Sequence, residues 1–121
     1  MCRDKNNMAI INLDYLKEIS GGDQGFIKEM LDLFVNSTAT EAVQFDALLE
    51  SGNYTAIGHL AHKMKAPIQM LGANNLFLLI RDLEKFGKEQ SNLDKLPGMI
   101  AEVKVQIGFA IEEINALLKD M

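Results

Sequence analysis

The chain predicts an all-α fold, an antiparallel up-down-up-down four-helix bundle with a short extra helix at its N-terminus. Three observations carry that prediction. Apolar residues recur at spacings of three and four along successive segments, and no segment alternates in the manner of a strand bounded by turn residues. Seven methionines, two prolines and no tryptophan suit helices better than sheets. The breaks between the periodic segments are short, which favours neighbours that fold back on one another.

The polar stretch of residues 1–10, which holds the lone Cys2, is expected to be a flexible segment, with the bundle spanning 11–121. A short helix is expected after Asn12, carrying Leu13, Leu16 and Ile19 and stopping at Gly21-Gly22. Asp23 reads as the N-cap of a long helix that runs to about Glu50, with Phe26, Ile27, Met30, Leu31, Phe34, Ala42, Phe45, Leu48 and Leu49 on its apolar side. The polar patch Asn36-Ser37-Thr38 marks a place for a bend within one helix. Gly52 closes that helix and Asn53 caps the next, whose stripe is Ile57, Leu60, Ala61, Met64, Ile68 and Leu71. Pro67 falls inside this helix, where it removes a hydrogen bond and crowds the carbonyl of Lys63. The stripe continues through it, so a kinked but continuous helix is expected.

Gly72-Ala73-Asn74 separates that helix from one carrying Leu76, Leu79, Ile80, Leu83 and Phe86, closed by Gly87 and the polar run Lys88 to Asn92. The last helix is expected from about Leu93 or Asp94 to the C-terminus. Its apolar face includes Leu96, Ile100, Val103, Ile107 and Ile114, and Pro97 sits near its start, where a missing N–H costs little.

With 121 residues, nearly half of them apolar, the chain is long enough for one domain with its own core. A net charge of −5 argues against nucleic acid as a partner, since phosphate binding needs a basic stripe. One cysteine makes neither an internal disulfide nor a thiolate metal site. No apolar run reaches the roughly 20 residues of a membrane span, and the N-terminal residues lack the apolar segment of a secretory signal. The expectation is a cytoplasmic monomer with no membrane partner.

Stepping about 100° per residue from the stripe of the Pro67 helix puts His62 on the exposed side, grouped with Gly58, Lys65, Ala66 and Gln69. A single exposed helix histidine ordinarily does nothing. Here, however, Lys65 lies one turn on and is able to neutralise an anion carried by the imidazole, while Gln69 lies two turns on with a hydrogen-bonding amide. Gly58 is unfavourable in a helix interior, so its place one turn before His62 suggests that something approaches closely. His59 stands three residues from His62, a spacing open to metal binding, but its neighbours offer no third ligand and Lys65 repels a cation. No P-loop, G-x-S-x-G or H-E-x-x-H pattern occurs. Asp82, Glu84, Asp94, Glu112 and Glu113 read as parts of solvated faces. In the following helix Leu78 falls opposite the core stripe and Phe77 at its border, and both are candidates for partner contact.

Ala61-His62-Lys63-Met64-Lys65, a small residue after it, and Leu71-Gly72-Ala73 downstream resemble the signature of histidine-containing phosphotransfer (HPt) domains. The family's core pattern is A-H-x-hydrophobic-K-G followed by an L-G or similar pair. Asn12 to Leu16 and Phe26 to Phe34 resemble the family's first two helices, and Leu83-Glu84 resembles the acidic ending of the segment after the histidine. The similarity spans about residues 10–118. Ala66 stands where the family carries glycine and is followed by Pro67, which puts the range of accepted partners in question; alanine still leaves room beside His62.

The resemblance implies a phosphocarrier without independent catalytic turnover. His62 would be the phosphorylated nucleophile, attacking through Nε2, with Lys65 supporting the phosphoryl group and Gln69 beside it. Gly58, His59, Ala66, Phe77 and Leu78 would meet the partner. Implied partners are response-regulator receiver domains and a hybrid sensor histidine kinase. No cofactor of its own is implied, because Mg²⁺ would belong to the receiver. Two other readings stand beside it. One is a helical adaptor that binds receiver or kinase domains without carrying phosphate. The other is a metal protein or enzyme built in the bundle core.

Overall fold

The computed structural model describes residues 10–120; Cys2 and the N-terminal stretch 1–9 lie outside the described residues. The chain forms α1 (Asp14–Ser20), α2 (Gln24–Glu50), α3 (Tyr54–Met70), α4 (Asn74–Glu89), a 3₁₀ turn (Leu93–Lys95) and α5 (Leu96–Lys119). Four long helices close a ring: α2 packs on α3, α3 on α4, α4 on α5, and α5 back on α2, with α1 laid against α2. The all-α four-helix bundle with a short N-terminal helix is the architecture the periodicity predicts.

Local chemistry sets the helix ends. The Asp23 carboxylate accepts from the amides of Gly25 and Phe26, and the Asn53 side chain accepts from Ala56, each satisfying donors that the first turn leaves without partners. Gly21 and Gly72 close their helices in the left-handed region that glycine enters without a steric cost, at φ of 65° and 66°. Gly72 is further constrained, because a Cβ there would lie 2.5 Å from the Asn12 carbonyl oxygen. Pro97 occupies the first turn of α5, where no helical acceptor awaits its nitrogen.

The stripe of α3 is the floor of the core: Ile57, Ala61, Met64, Ile68 and Leu71 are almost completely buried, and Leu60 nearly so. Helix α3 runs through Pro67 without interruption. Helix α2 likewise runs unbroken past Asn36-Ser37-Thr38. Thr38 is buried there, and so is Glu41, whose carboxylate meets Lys63 of α3 at 3.3 Å.

Four expectations need correction. Ile19 is exposed, because α1 is too short to bury more than one side and Leu16 takes the core position. Gly87 does not terminate α4; it is buried inside the helix, which continues to Glu89. The C-terminal helix begins at Leu96, with Leu93–Lys95 forming a separate tighter turn. Glu113 is not a solvated carboxylate, for it accepts from the backbone amides of Ile10 at 2.6 Å and Ile11 at 3.1 Å. With the amide of Asn12 bonded to the Leu71 carbonyl, this clamp fixes the approach to α1 across the end of α3.

Candidate functional site

Helices α3 and α4 come closest where two glycines face each other. A Cβ on Gly87 would lie 2.7 Å from the Gly58 nitrogen and 2.8 Å from the Tyr54 carbonyl oxygen; one on Gly58 would lie 2.9 Å from the Lys88 nitrogen. Gly58, expected on the exposed side to meet a partner, is instead buried, because the space left by its missing side chain is taken by α4. This close crossing brings the middle of α4 beside the exposed side of α3, where His62 stands.

The His62 side chain is 62% exposed, and its Nδ1 lies 2.7 Å from Oε2 of Glu84. Glu84, expected on a solvated face, is instead only 12% exposed and gathers three donors. Lys65 reaches its Oε1 at 2.6 Å, while Lys88, one turn further along α4, reaches Oε2 at 2.9 Å. Partial burial is the largest single influence on this carboxyl and pushes it up. The hydrogen bonds from Lys65, Lys88 and His62, with the charge of Lys65, together outweigh burial and lower it from 4.5 to about 2.

An ionised carboxylate has no proton to give, so Nδ1 carries the hydrogen and donates it to Glu84. The neutral imidazole then has its lone pair on Nε2. Glu84 thus selects the ring tautomer and holds the ring in orientation, as a carboxylate does when it accepts from the far nitrogen of a metal-bound histidine. What the arrangement offers chemically is an exposed nitrogen nucleophile, an anion behind the ring to balance positive charge developing on it, and two ammonium groups beside it.

Because the Glu84 carboxyl is lower in the folded state than its ordinary 4.5, its contribution to stability is fully present above about pH 4.5 and is lost as pH falls towards 2. His62 and Lys88 are solvent-reachable, so that contribution is on the order of 2 kcal/mol after screening. Urea unfolding of wild type and Glu84→Gln is expected to show a clear stability gap at about pH 6 that closes on acidification towards about pH 2. A gap independent of pH would contradict the assignment.

The remaining predicted residues divide. Lys65 joins the cluster through Glu84. Gln69 makes no hydrogen bond to His62 among the described residues; it lies on the rim of an open depression of about 410 Å³ shared with Asn12, Tyr15 and Asn74. Ala66 and His59 are exposed, and His59 takes no part in the cluster. Leu78 is 45% exposed, whereas Phe77 is half-buried against the core. Sequence reasoning missed both Glu84 and Lys88 as site residues. Their spacing of four on one helix was the available signal, together with a helical Gly87 next to Lys88.

Comparison with known proteins gives one match. Residues 29–120, which include His62, Lys65, Glu84 and Lys88, fit the model of the family described as Hpt domain. No curated protein and no solved structure matches the chain.

Proposed function

The chain belongs to the Hpt domain family, whose function is histidine phosphotransfer in phosphorelays, and we propose that His62 is its carrier, exchanging phosphate with aspartates of receiver domains. The observation that supports this reading most is the 2.7 Å contact between His62 Nδ1 and Glu84. It makes Nε2 the free nucleophile on a ring that a partner is able to reach.

In the forward step the Nε2 lone pair attacks the phosphorus of a receiver's aspartyl phosphate. The bond from phosphorus to the aspartate oxygen breaks, and its electron pair leaves on the receiver's carboxylate. The Nδ1 hydrogen stays in place, and the positive charge gained by the ring is balanced by Glu84. Passing the group to another receiver reverses these changes. Such transfers depend on in-line placement and charge neutralisation more than on covalent help from the protein. Lys65 supplies a neutralising charge from this chain, and the receiver supplies Mg²⁺.

Docking needs a surface around the nucleophile. Ala66 leaves clearance on α3, and Leu78, exposed on α4, offers an apolar contact at the receiver's edge. Phe77, His59 and Gln69 are assigned to the periphery of the same surface, and a hybrid sensor kinase is the natural source of one receiver. No helix among the described residues is long and apolar enough to cross a membrane.

Incubation with a panel of phosphorylated receiver domains tests this reading. Wild type is expected to acquire acid-labile, alkali-stable phosphate, and His62→Gln to acquire none while still binding the receiver. Binding without label in wild type would favour an adaptor instead.

A further inference from the structure

The Glu84 carboxylate has two oxygens with different attachments. Among the described residues Oε1 is held by Lys65, whereas Oε2 is shared by Lys88 and His62 Nδ1. If Lys65 turns its charge towards a phosphoryl group on Nε2, it must loosen its hold on Oε1. The oxygen that orients the ring does not depend on Lys65. It keeps a lysine of its own.

We propose that Lys88 is a positioning residue that keeps Glu84 seated on His62 Nδ1 while Lys65 moves its charge to the phosphoryl group. The inference rests on the proposed phosphocarrier role and adds a division of labour between two lysines that share one carboxylate. Two features of the fold place Lys88 for this task. It lies one helical turn from Glu84 on the same face of α4, and the Gly58–Gly87 contact holds its backbone nitrogen against α3. Charge supports the same division. Lys65, Lys88 and ionised Glu84 sum to one positive charge, and a phosphoryl group brings close to two negative charges. With Lys65 turned away, Lys88 is the remaining lysine on Glu84, keeping its charge compensated beside the incoming anion.

The test has a phosphate-free arm and a phosphate arm. In the first, ¹⁵N NMR of the His62 ring is recorded for full-length wild type, Lys65→Gln, Lys88→Gln and the double variant. Lys65→Gln imitates the departed lysine and is expected to keep the Nδ1–H tautomer. The double variant is expected to lose it to a mixed population, and Lys88→Arg in the Lys65→Gln background to restore it. A double variant whose ring signals match those of Lys65→Gln would overturn the proposal, whether or not any receiver ever labels the protein.

In the second arm the chain is phosphorylated with phosphoramidate, a small donor that needs no receiver. Lys88→Gln is expected to slow labelling of His62 by about threefold to tenfold, with Lys88→Arg recovering most of the rate. Labelling of Lys88→Gln at the wild-type rate would overturn the proposal. Failure of wild type to accept phosphate from phosphoramidate and from every phosphorylated receiver of the panel would overturn the carrier reading, and the ring tautomer would still decide the role of Lys88.

Discussion

Gly87→Val is expected to destabilise the protein by about 4 kcal/mol, a large share of the roughly 5–15 kcal/mol that holds a domain of this size together. Three backbone atoms set the size of the effect. Even a single Cβ at Gly87 would lie 2.7 Å from the Gly58 nitrogen, 2.8 Å from the Tyr54 carbonyl oxygen and 3.0 Å from the Gly58 Cα. None of these is the end of a flexible side chain that is free to turn aside. Helix α4 would have to move away from α3 along the most extensive helix contact of the bundle, loosening Ile57, Ala61, Leu83 and Ile80 behind it. Alanine would regain about 1 kcal/mol of helix propensity and still meet the same atoms, so its net cost should be about half as large. Gly98 is the internal comparison, because a Cβ there meets nothing within 4 Å. Urea unfolding at neutral pH should rank Gly87→Val below Gly87→Ala, with Gly98→Ala near wild type. Equal stability for all three would show that the crossing is looser than its geometry implies.

Glu84→Ala is expected to slow phosphate acceptance by His62 by about 100-fold while the protein stays folded. The substitution removes the acceptor that keeps hydrogen on Nδ1, leaves the ring free to rotate and takes away the charge that balances the phosphorylated imidazole. It also leaves Lys65 and Lys88 facing each other without their shared anion. Labelling rates from one phosphorylated receiver, compared with wild type under identical conditions, give the answer. A rate within about twofold of wild type would mean that the contact with Glu84 is incidental to the chemistry.

The parts of this protein that were legible in its sequence are those governed by near neighbours in the chain. Asp23 and Asn53 cap the helices they were expected to cap, since a cap involves residues two or three apart. The six-residue stripe of α3 is buried as its spacing predicts, and the same arithmetic placed His62 in solvent. What was not legible depends on which helices meet, and at what height. Glu84 is 22 residues from His62 in sequence, and only the α3–α4 crossing joins them. Gly58, expected to give clearance to a partner, is instead buried, because the body that approaches it is α4 of the same chain. Glu113 looked like any surface carboxylate until the chain returned Ile10 and Ile11 to its side. Ile19 shows the opposite failure: an apolar residue at a suitable spacing stays outside because its short helix turns only the side carrying Leu16 into the core.

In the proposed mechanism Glu84 makes Nε2 of His62 the atom that carries phosphate. The most direct test is the position of phosphate on the ring, read by combined ³¹P and ¹⁵N NMR of wild-type protein labelled by a phosphorylated receiver. Phosphate on Nε2 of His62, with hydrogen retained on Nδ1, is the predicted result. Phosphate on Nδ1, or on a residue other than His62, would contradict it.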